Sequence, residues 1–409
     1  MPKARSQYGT FRSVSYPWRL YSGENALQHL GAEVQRARAG RAFVICGRTV
    51  AQRTNLVARI QAELGRLYAG VFAAMDKDSS YAAVRAATDA ARLADADLLI
   101  AAGGGSVIVG TRAVAIFLAE KEDPFELMTQ YPEGKPAYSP RLLAPKPPII
   151  NVLTTPTSAM NRAGTGLKND ELDHRMEYYD PKTRPAAIFW DDEALLTAPP
   201  ELLRSTGTTT FTSALRSVAV DARNPLLQGD RLQAFRLAKA ALPRALRELD
   251  NPEPRIDLCA AAFLENRAAD DDSDRRVERD PIGRASYALA TALHLRYPHV
   301  GQGEATSSLL PAVMRSLEPD DREAAARLAV ALDVWEDGMS AATANAAAAD
   351  ALARFYRAIG MPACLRELPI PRAELSLLAQ DTRKNFNANS GQRPPDQVER
   401  MLTLLESAW

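Results

Sequence analysis

Short apolar runs alternate with helical stripes through the first half of the chain. Arg41–Cys46 (RAFVIC), Ala69–Phe72, Asp97–Ala101 and Pro148–Leu153 (PIINVL) have strand length and aliphatic or β-branched content. Between them, Val57–Leu67 and Ser80–Ala94 carry apolar residues at helical spacing. Strands that alternate with helices of about 10–15 residues predict βαβ units and a parallel sheet. From Leu195 onward almost no strand candidate remains. Leu232, Phe235, Ala238, Leu242, Leu246 and Leu249 instead predict one buried helical face. Pro199-Pro200 suits a helix start, where a missing N–H does no harm. The last helix is expected over Asp396–Ser407, with Asp396 as cap, Glu399 three residues on, and Val398, Leu402 and Leu405 buried. Ser340–Ala353 is Ala-rich, a good helix former. The chain therefore divides into an α/β domain with a parallel sheet over residues 1–194 and an all-helical domain over 195–409.

Composition narrows the partners. With 409 residues the chain is long enough for two domains. Its 50 Lys and Arg cancel its 50 Asp and Glu, so no basic field exists to hold a phosphate backbone, and nucleic acid is not expected as a partner. The most apolar stretch, Leu98–Gly110, is too short and Gly-rich to span a bilayer, and MPKARSQYGTFRS lacks the apolar core of a signal peptide. Cys46, Cys259 and Cys364 are scattered, which suits neither a disulfide framework nor a zinc cluster. A cytoplasmic protein with no membrane partner is expected.

The most informative segment is ADLLIAAGGGSVIVGTRAVAIFLA. A buried strand runs into Gly103-Gly104-Gly105-Ser106 and a helix follows. Glycines there permit φ > 0 and close backbone approach, and the helix N-terminus offers free N–H groups to a pyrophosphate. A tight βα turn with no ligand is the alternative; its position in a βαβ unit favours phosphate binding.

At this point the chain resembles the iron-containing (group III) alcohol dehydrogenase family, whose relatives include maleylacetate reductases, glycerol dehydrogenase and dehydroquinate synthase. GGGSVIVGTR resembles that family's GGGSxxDxAK, with Val109 for Asp and Arg112 for Lys. Tyr21–Leu30, Thr154–Ala159 (TTPTSA), Asp191–Pro200 (DDEALLTAPP), Leu309–Met314 (LLPAVM) and the ending NSGQRPPDQVERMLTLLESAW follow in family order. The resemblance implies a dehydroquinate synthase-like fold and a nicotinamide cofactor. It would place Gly103, Gly104, Gly105 and Ser106 on the pyrophosphate, and Thr154, Thr157 and Ser158 on the phosphate and nicotinamide side. NAD-preferring members carry an Asp after the second strand; here stand Gly47, Arg48 and Thr49. Losing that carboxylate and gaining Arg48 favours NADP, with NAD as the alternative and a solvent-facing Arg48 as the bland reading.

The resemblance also implies a metal held by one Asp and three His, and here the chain departs from it. In Gly207–Ser213 the Asp position is Thr209 and the His position Ser213; counting back from Leu309 puts the other histidines at Ala288 and Gln302, and a further family histidine at Ala292. A three-residue slip would bring His299 to the third ligand position. Hydroxyls, methyls and an amide do not hold iron or zinc without carboxylate or imidazole partners, and the Asp270–Asp274 run suits a solvated loop better than a replacement site. The expectation is metal: none.

A reductase without the cation must protonate the developing alkoxide by general acid catalysis. His299 is the first candidate acid/base and Tyr297 the second, against a loop position outside the site. His29, His174 and His294 suit structural or exposed roles. Thr209, Ser213 and Gln302 would line the substrate cavity, and Arg216 could meet an anion or a surface acid. Tyr178 and Tyr179 are adjacent in a strand-like stretch, so at most one faces a site. The expected function is a metal-independent NAD(P)-dependent oxidoreductase of an alcohol or ketone, borne on a small molecule or a peptide. A tailoring role in natural-product assembly, such as oxidation of a daptide-like C-terminal threonine, fits within it. The alternatives are a non-catalytic dinucleotide-binding partner protein and, least favoured, a dehydroquinate synthase-like cyclase. The resemblance implies a homodimer.

Overall fold

The structure, a computed structural model, describes residues 11–220, 224–271, 281–316, 322–385 and 396–409. The chain folds as two compact units. One comprises Pro17–Leu203 with Glu248–Cys259; the other comprises Met1–Tyr16, Arg204–Arg247 and Ala260–Trp409. This differs from a single cut at 194/195 in three places: the segment before Pro17 belongs to the second unit, the chain reaches Leu203 before changing unit, and Glu248–Cys259 returns to the first. Arg255, buried in that returning segment, explains why. Its guanidinium donates to the carbonyls of Leu195 at 2.6 Å, Ala198 at 3.3 Å and Leu249 at 2.9 Å.

The first unit is α/β. Strands β1 (Arg19–Gly23), β2 (Ala42–Cys46), β3 (Tyr68–Phe72), β4 (Leu98–Gly103), β5 (Ile149–Leu153) and β8 (Ala187–Asp191) form one parallel sheet in the order β1-β8-β5-β4-β2-β3. Strands β6 (Gly164–Leu167) and β7 (Met176–Tyr179) form a separate antiparallel hairpin. Helices α1 (Leu30–Arg36), α2 (Arg48–Arg53), α3 (Leu56–Leu64), α4 (Tyr81–Leu93) and α5 (Gly105–Ala119) connect the strands, and α6 (Pro124–Leu127) and α7 (Asp192–Leu196) are short. Because side chains alternate along a strand, Val44, Cys46, Leu98, Ile100, Ala102, Ile150, Val152 and Phe189 share one face and pack with Leu30 and Val34 of α1 and Leu56 and Ile60 of α3. Asn151 and its register partners Ala101 and Ile188 lie on the opposite face.

The central strands β2, β4 and β5 are buried at every residue, which is why they read as unbroken apolar runs. Strands β1, β6 and β8 were not expected. β8 (AIFWD) is apolar enough, but it abuts an acidic helix start and resembles part of one landmark. Ser80 caps α4 by accepting from the Ala83 amide, so the helix begins one residue later than expected.

The second unit is helical. It contains most of α8 (Pro200–Ala219), α9 (Pro225–Arg247) and the end of α10 (Glu253–Asp271). The helices Pro281–Arg296, Gln302–Ser316, Arg322–Ala331, Ala341–Ala358, Leu375–Asp381 and Gln397–Ser407 complete it. Two expectations are corrected here. In α9 the buried face is Leu227, Arg231, Ala234, Ala238, Ala241, Leu242 and Ala245, while Leu232 and Leu249 are exposed. Small alanines and the aliphatic stem of Arg231 fill the tight face, so side-chain size rather than hydropathy alone set the stripe. In the last helix Gln397, Met401, Leu404 and Leu405 are buried, with Val398 and Leu402 only half-buried, and Asp396 makes no side-chain cap. Gln397 turns inward because its amide donates to the Thr382 carbonyl at 2.9 Å.

Among the described residues no helix is long and apolar enough to cross a membrane.

Candidate functional site

Strand β2 is followed by β3 on one side of it, and the chain then returns to place β4 on its other side. The direction of winding reverses between β2 and β4. At such a switch point the loops leaving the two strands diverge and open a crevice at their carboxyl ends. The loop after β2 carries Gly47, Arg48 and Thr49; the loop after β4 carries Gly103, Gly104, Gly105 and Ser106; the loop after β5 begins with Thr154. The structure thus brings to one end of the sheet all the residues expected to bind the cofactor. Thr154 and Gly103 are directly joined, the Thr154 amide donating to the Gly103 carbonyl at 3.3 Å.

The glycines are needed for space rather than for unusual backbone angles, which corrects part of the expectation. None of Gly103, Gly104 or Gly105 has positive φ. A Cβ on Gly103 would stand 2.6 Å from Val107 Cγ2; on Gly104, 3.0 Å from Thr155 Cγ2; on Gly105, 3.1 Å from Thr157 Oγ1. The loops after β4 and β5 therefore touch at glycine. No side chain caps α5. Its first-turn amides have no acceptor within the helix and face the end of the sheet where an anion would sit. A pyrophosphate fits this cradle, since its oxygens would supply those missing acceptors.

Positive φ occurs instead at Asp78 (62°) and Ser79 (52°), in the loop after β3. The start of α5 holds both: the Asp78 amide donates to Ser106 Oγ at 3.1 Å, and Ser79 Oγ donates to the Ser106 carbonyl at 2.6 Å. Ser106 therefore braces a strained strap and keeps its hydroxyl proton for another acceptor. Arg48 and Thr49 are exposed and Gly47 is half-buried; Arg48 has no hydrogen bond or ion pair among the described residues.

Arg112 is 1% exposed and, with Arg231, is among the largest fully buried side chains of the described residues. It donates from Nη1 to the Gly164 carbonyl at 2.6 Å and from Nη2 to the Ala159 carbonyl. Burial, and the nearby Arg162 and Arg184, pull its pKa down to about 9, so it remains charged at neutral pH. Val109 is half-buried and its carbonyl accepts from Thr165 Oγ1 at 2.6 Å. The DDEALLTAPP landmark is architectural: buried Asp191 caps α7 through the Ala194 amide and takes a bidentate bond from Arg59 at 2.8 and 3.0 Å.

In the helical unit, Thr209 and Ser213 lie one turn apart on α8 and are half-buried. Thr209 Oγ1 donates to the Ser205 carbonyl at 2.8 Å. Ser205 Oγ accepts from the Gly303 amide at 3.1 Å and donates to Glu304 Oε2 at 2.7 Å. A Cβ on Gly303 would stand 2.3 Å from the Ser205 carbonyl oxygen. The start of Gln302–Ser316 is thus seated on α8 one turn before Thr209, and exposed Gln302 adjoins that contact. Ala288 and Ala292 are buried on Pro281–Arg296, which packs against Gln302–Ser316. These positions supply hydroxyls, an amide and methyls, a donor set that does not fit iron or zinc. Among the described residues no group of three or more His, Cys, Asp or Glu could hold a metal ion. The Asp270–Asp274 run lies outside the described side chains.

Tyr297 and His299 follow the Pro281–Arg296 helix. Tyr297 is buried and its hydroxyl donates to Glu374 Oε2 at 2.6 Å. Burial, then the Glu374 hydrogen bond, push its pKa up to about 12. His299 is exposed, its Nε2 3.2 Å from the Pro369 carbonyl, with its ring 5.9 Å from that of Tyr297. Neither hydrogen-bonds Thr209, Ser213 or Gln302. Buried His294 bonds the Ala290 carbonyl at 2.8 Å; exposed His29 stacks on Tyr21; His174 packs beside Tyr131. Tyr178 is buried with its hydroxyl on the Pro124 carbonyl, and Tyr179 is exposed. Asn151 and Ser205 escaped sequence reasoning, and Arg112 was noted only as a departure from the family's turn, because a side chain's carbonyl partner leaves no pattern in the chain.

Two family models cover most of the sequence. One described as iron-containing alcohol dehydrogenase matches residues 17–192, and one described as Fe-containing alcohol dehydrogenase family, C-terminal, matches 206–409. Maleylacetate reductase 2 of Cupriavidus pinatubonensis is 28% identical over 249 residues, 61% of this chain and 60% of its own. The match to that relative thus spans less than two thirds of its length. Lactaldehyde reductase of Escherichia coli is 23% identical over 401 residues, 95% of this chain and 97% of its own. Among solved structures, alcohol dehydrogenase from Oenococcus oeni superposes with a TM-score of 0.83 at 21% identity, covering 98% of this chain and 100% of that one. Maleylacetate reductase from Rhizobium sp. superposes with 0.71 at 20% identity, covering 98% of each chain. At these identities the structural likeness concerns the fold.

Proposed function

This chain belongs to the iron-containing alcohol dehydrogenase family, and from that premise we propose that it is a metal-independent oxidoreductase using NADP(H) on an alcohol or ketone. The observation that carries the proposal is the glycine cradle at the switch point, where the loops after β2, β4 and β5 gather at the carboxyl ends of their strands. When bound, the nicotinamide supplies or accepts a hydride. The first-turn amides of α5 and the Ser106 hydroxyl hold the pyrophosphate; Thr154, Thr157 and Ser158 orient the nicotinamide side; Arg48, exposed and unpaired among the described residues, meets the 2′-phosphate.

Metal independence rests on the donor set. Thr209, Ser213 and Gln302 would hydrogen-bond a polar substrate rather than ligate an ion. The proton for the substrate oxygen is assigned to Tyr297 or His299. Tyr297 donates its hydroxyl proton in a hydrogen bond to Glu374, which would take up a proton passed on by the tyrosine; His299 is open to solvent for the same exchange. A peptide-borne or natural-product substrate fits a family member without the metal donors of its relatives, and a homodimer is the proposed assembly.

The test is titration of purified protein with NADPH and NADP⁺, followed by nicotinamide absorbance with a panel of carbonyls, alcohols and C-terminal threonine peptides, with and without a chelator. Dinucleotide binding and chelator-resistant turnover are expected. Loss of activity with the chelator, or iron or zinc bound stoichiometrically, overturns metal independence. Binding without turnover on any substrate converts the reading to a non-catalytic partner. Arg48→Ser is expected to lower the preference for NADPH over NADH about tenfold, the worth of one exposed charge-assisted contact of about 1.4 kcal/mol.

A further inference from the structure

We infer that Arg112 is a positioning residue: from inside the α/β unit it sets the course of the chain that leaves the β5 loop and thereby the seat of the nicotinamide half of the cofactor. The segment Ala159–Gly164 belongs to no helix or strand before Gly164, so its carbonyls have no ladder to join. Side chains take most of them, and the Ala159 carbonyl also accepts from the Arg162 amide at 3.4 Å. Arg112 takes those of Ala159 and Gly164, at the two ends of the segment. Asn151 Nδ2 takes Met160 at 2.8 Å, Arg184 Nη1 takes Asn161 at 3.2 Å, and Thr183 Oγ1 takes Ala163 at 2.9 Å. At the upstream end the Ala159 amide donates to Thr157 Oγ1 at 3.1 Å, so the Arg112 grip on Ala159 is relayed to the threonine that touches Gly105.

An arginine suits this task for geometric reasons. Its planar fork spans two carbonyls in one fixed plane, which a single ammonium nitrogen on a flexible stem cannot reproduce. A charge buried without a carboxylate is unfavourable unless dipoles surround it, and here the carbonyls of Ala159 and Gly164 do so. Merely filling the core would call for an apolar side chain of this size. The bends at both ends of the segment, Ala159 and Gly164, meet at one guanidinium, as a loop of defined shape requires.

This inference rests on the proposed dinucleotide binding, and its test separates the two. Wild type, Arg112→Met and Arg112→Lys are titrated with NADPH, following the emission of the bound nicotinamide, and with 2′-phospho-ADP-ribose, which lacks the nicotinamide. Arg112→Met is expected to weaken NADPH about tenfold, the scale set by losing two hydrogen bonds, and to abolish the emission change. The fragment should bind within about twofold of wild type, because the α5 amides are untouched. Arg112→Lys, which keeps the charge and one donor, should recover part of the emission change. A purely structural role would weaken fragment and cofactor alike, or neither, and either result overturns the inference. If Arg112→Met does not fold, Arg112→Lys with unchanged NADPH affinity and emission overturns it equally. Wild type that binds the fragment but gives no emission change with NADPH overturns it too; wild type that binds neither overturns the proposed function itself.

Discussion

The glycine turn after β4 and the α8 segment Gly207–Ser213 both lose residues that the family pattern leads one to expect, yet the structure treats the losses in opposite ways. At the turn, Arg112 in place of a lysine is absorbed into the interior, where its fork organises a loop, and the cradle itself stays intact. On α8 the replacements are small and inward bonding is local: Thr209 returns to its own helix backbone, and Ser213 makes no hydrogen bond among the described residues. Around them, Ser205 and Gly303 close helix against helix by direct contact. The first region is over-determined and the second permissive. Binding geometry is built where many groups converge on one backbone; where a helix merely displays side chains, chemistry can be exchanged without disturbing the fold.

The contrast is sharpest at Gly103. Gly103→Val places branched carbon where Val107 Cγ2 already lies 2.6 Å from a single Cβ, so it is expected to cost about 1–3 kcal/mol of stability and to abolish dinucleotide binding, read by thermal unfolding and titration. Near-native binding by this variant would mean the turn is not a close-packed cradle. Tyr297→Phe tests the helical unit at its most constrained point. The Tyr297 pKa is raised from about 10 to about 12, so the tyrosine contributes stability that is complete below pH 10 and is lost as pH rises through 12. The variant should be less stable by about 1.5–2 kcal/mol at neutral pH, the worth of a hydrogen bond to a charged group, with a shallower alkaline decline. Equal alkaline profiles would detach Tyr297 from Glu374, and unchanged turnover would remove it as acid/base. Thr209→Val should be smallest, within about 0.5 kcal/mol, since it deletes only an intrahelical bond on a half-buried face. A loss several times larger would show that this α8 segment is as tightly built as the turn.

How much could be seen in advance followed the range of the interactions. Strands β2, β4 and β5 and the Gly103–Ser106 turn were legible, because each depends on local periodicity or on residues a few positions apart. The α9 stripe was misjudged by its alanines, whose burial depends on how closely a neighbouring helix approaches. The resemblance of TTPTSA to a family loop drew attention to Thr154 and Thr157, but nothing in it announced that Asn151 and Arg112 would hold the following carbonyls.

Taken alone, the amino-acid order determined the βαβ alternation, the all-helical second half and the lack of side chains at three successive glycines after a buried strand. These are properties of composition and spacing, present before the chain folds. Folding alone decided that the glycines serve contact rather than left-handed backbone, that the winding reverses between β2 and β4, and that one buried guanidinium unites Ala159 with Gly164. The reason is physical: such relations join residues some fifty positions apart through hydrogen bonds whose acceptors are backbone carbonyls, identical at every position and therefore invisible until packing selects among them.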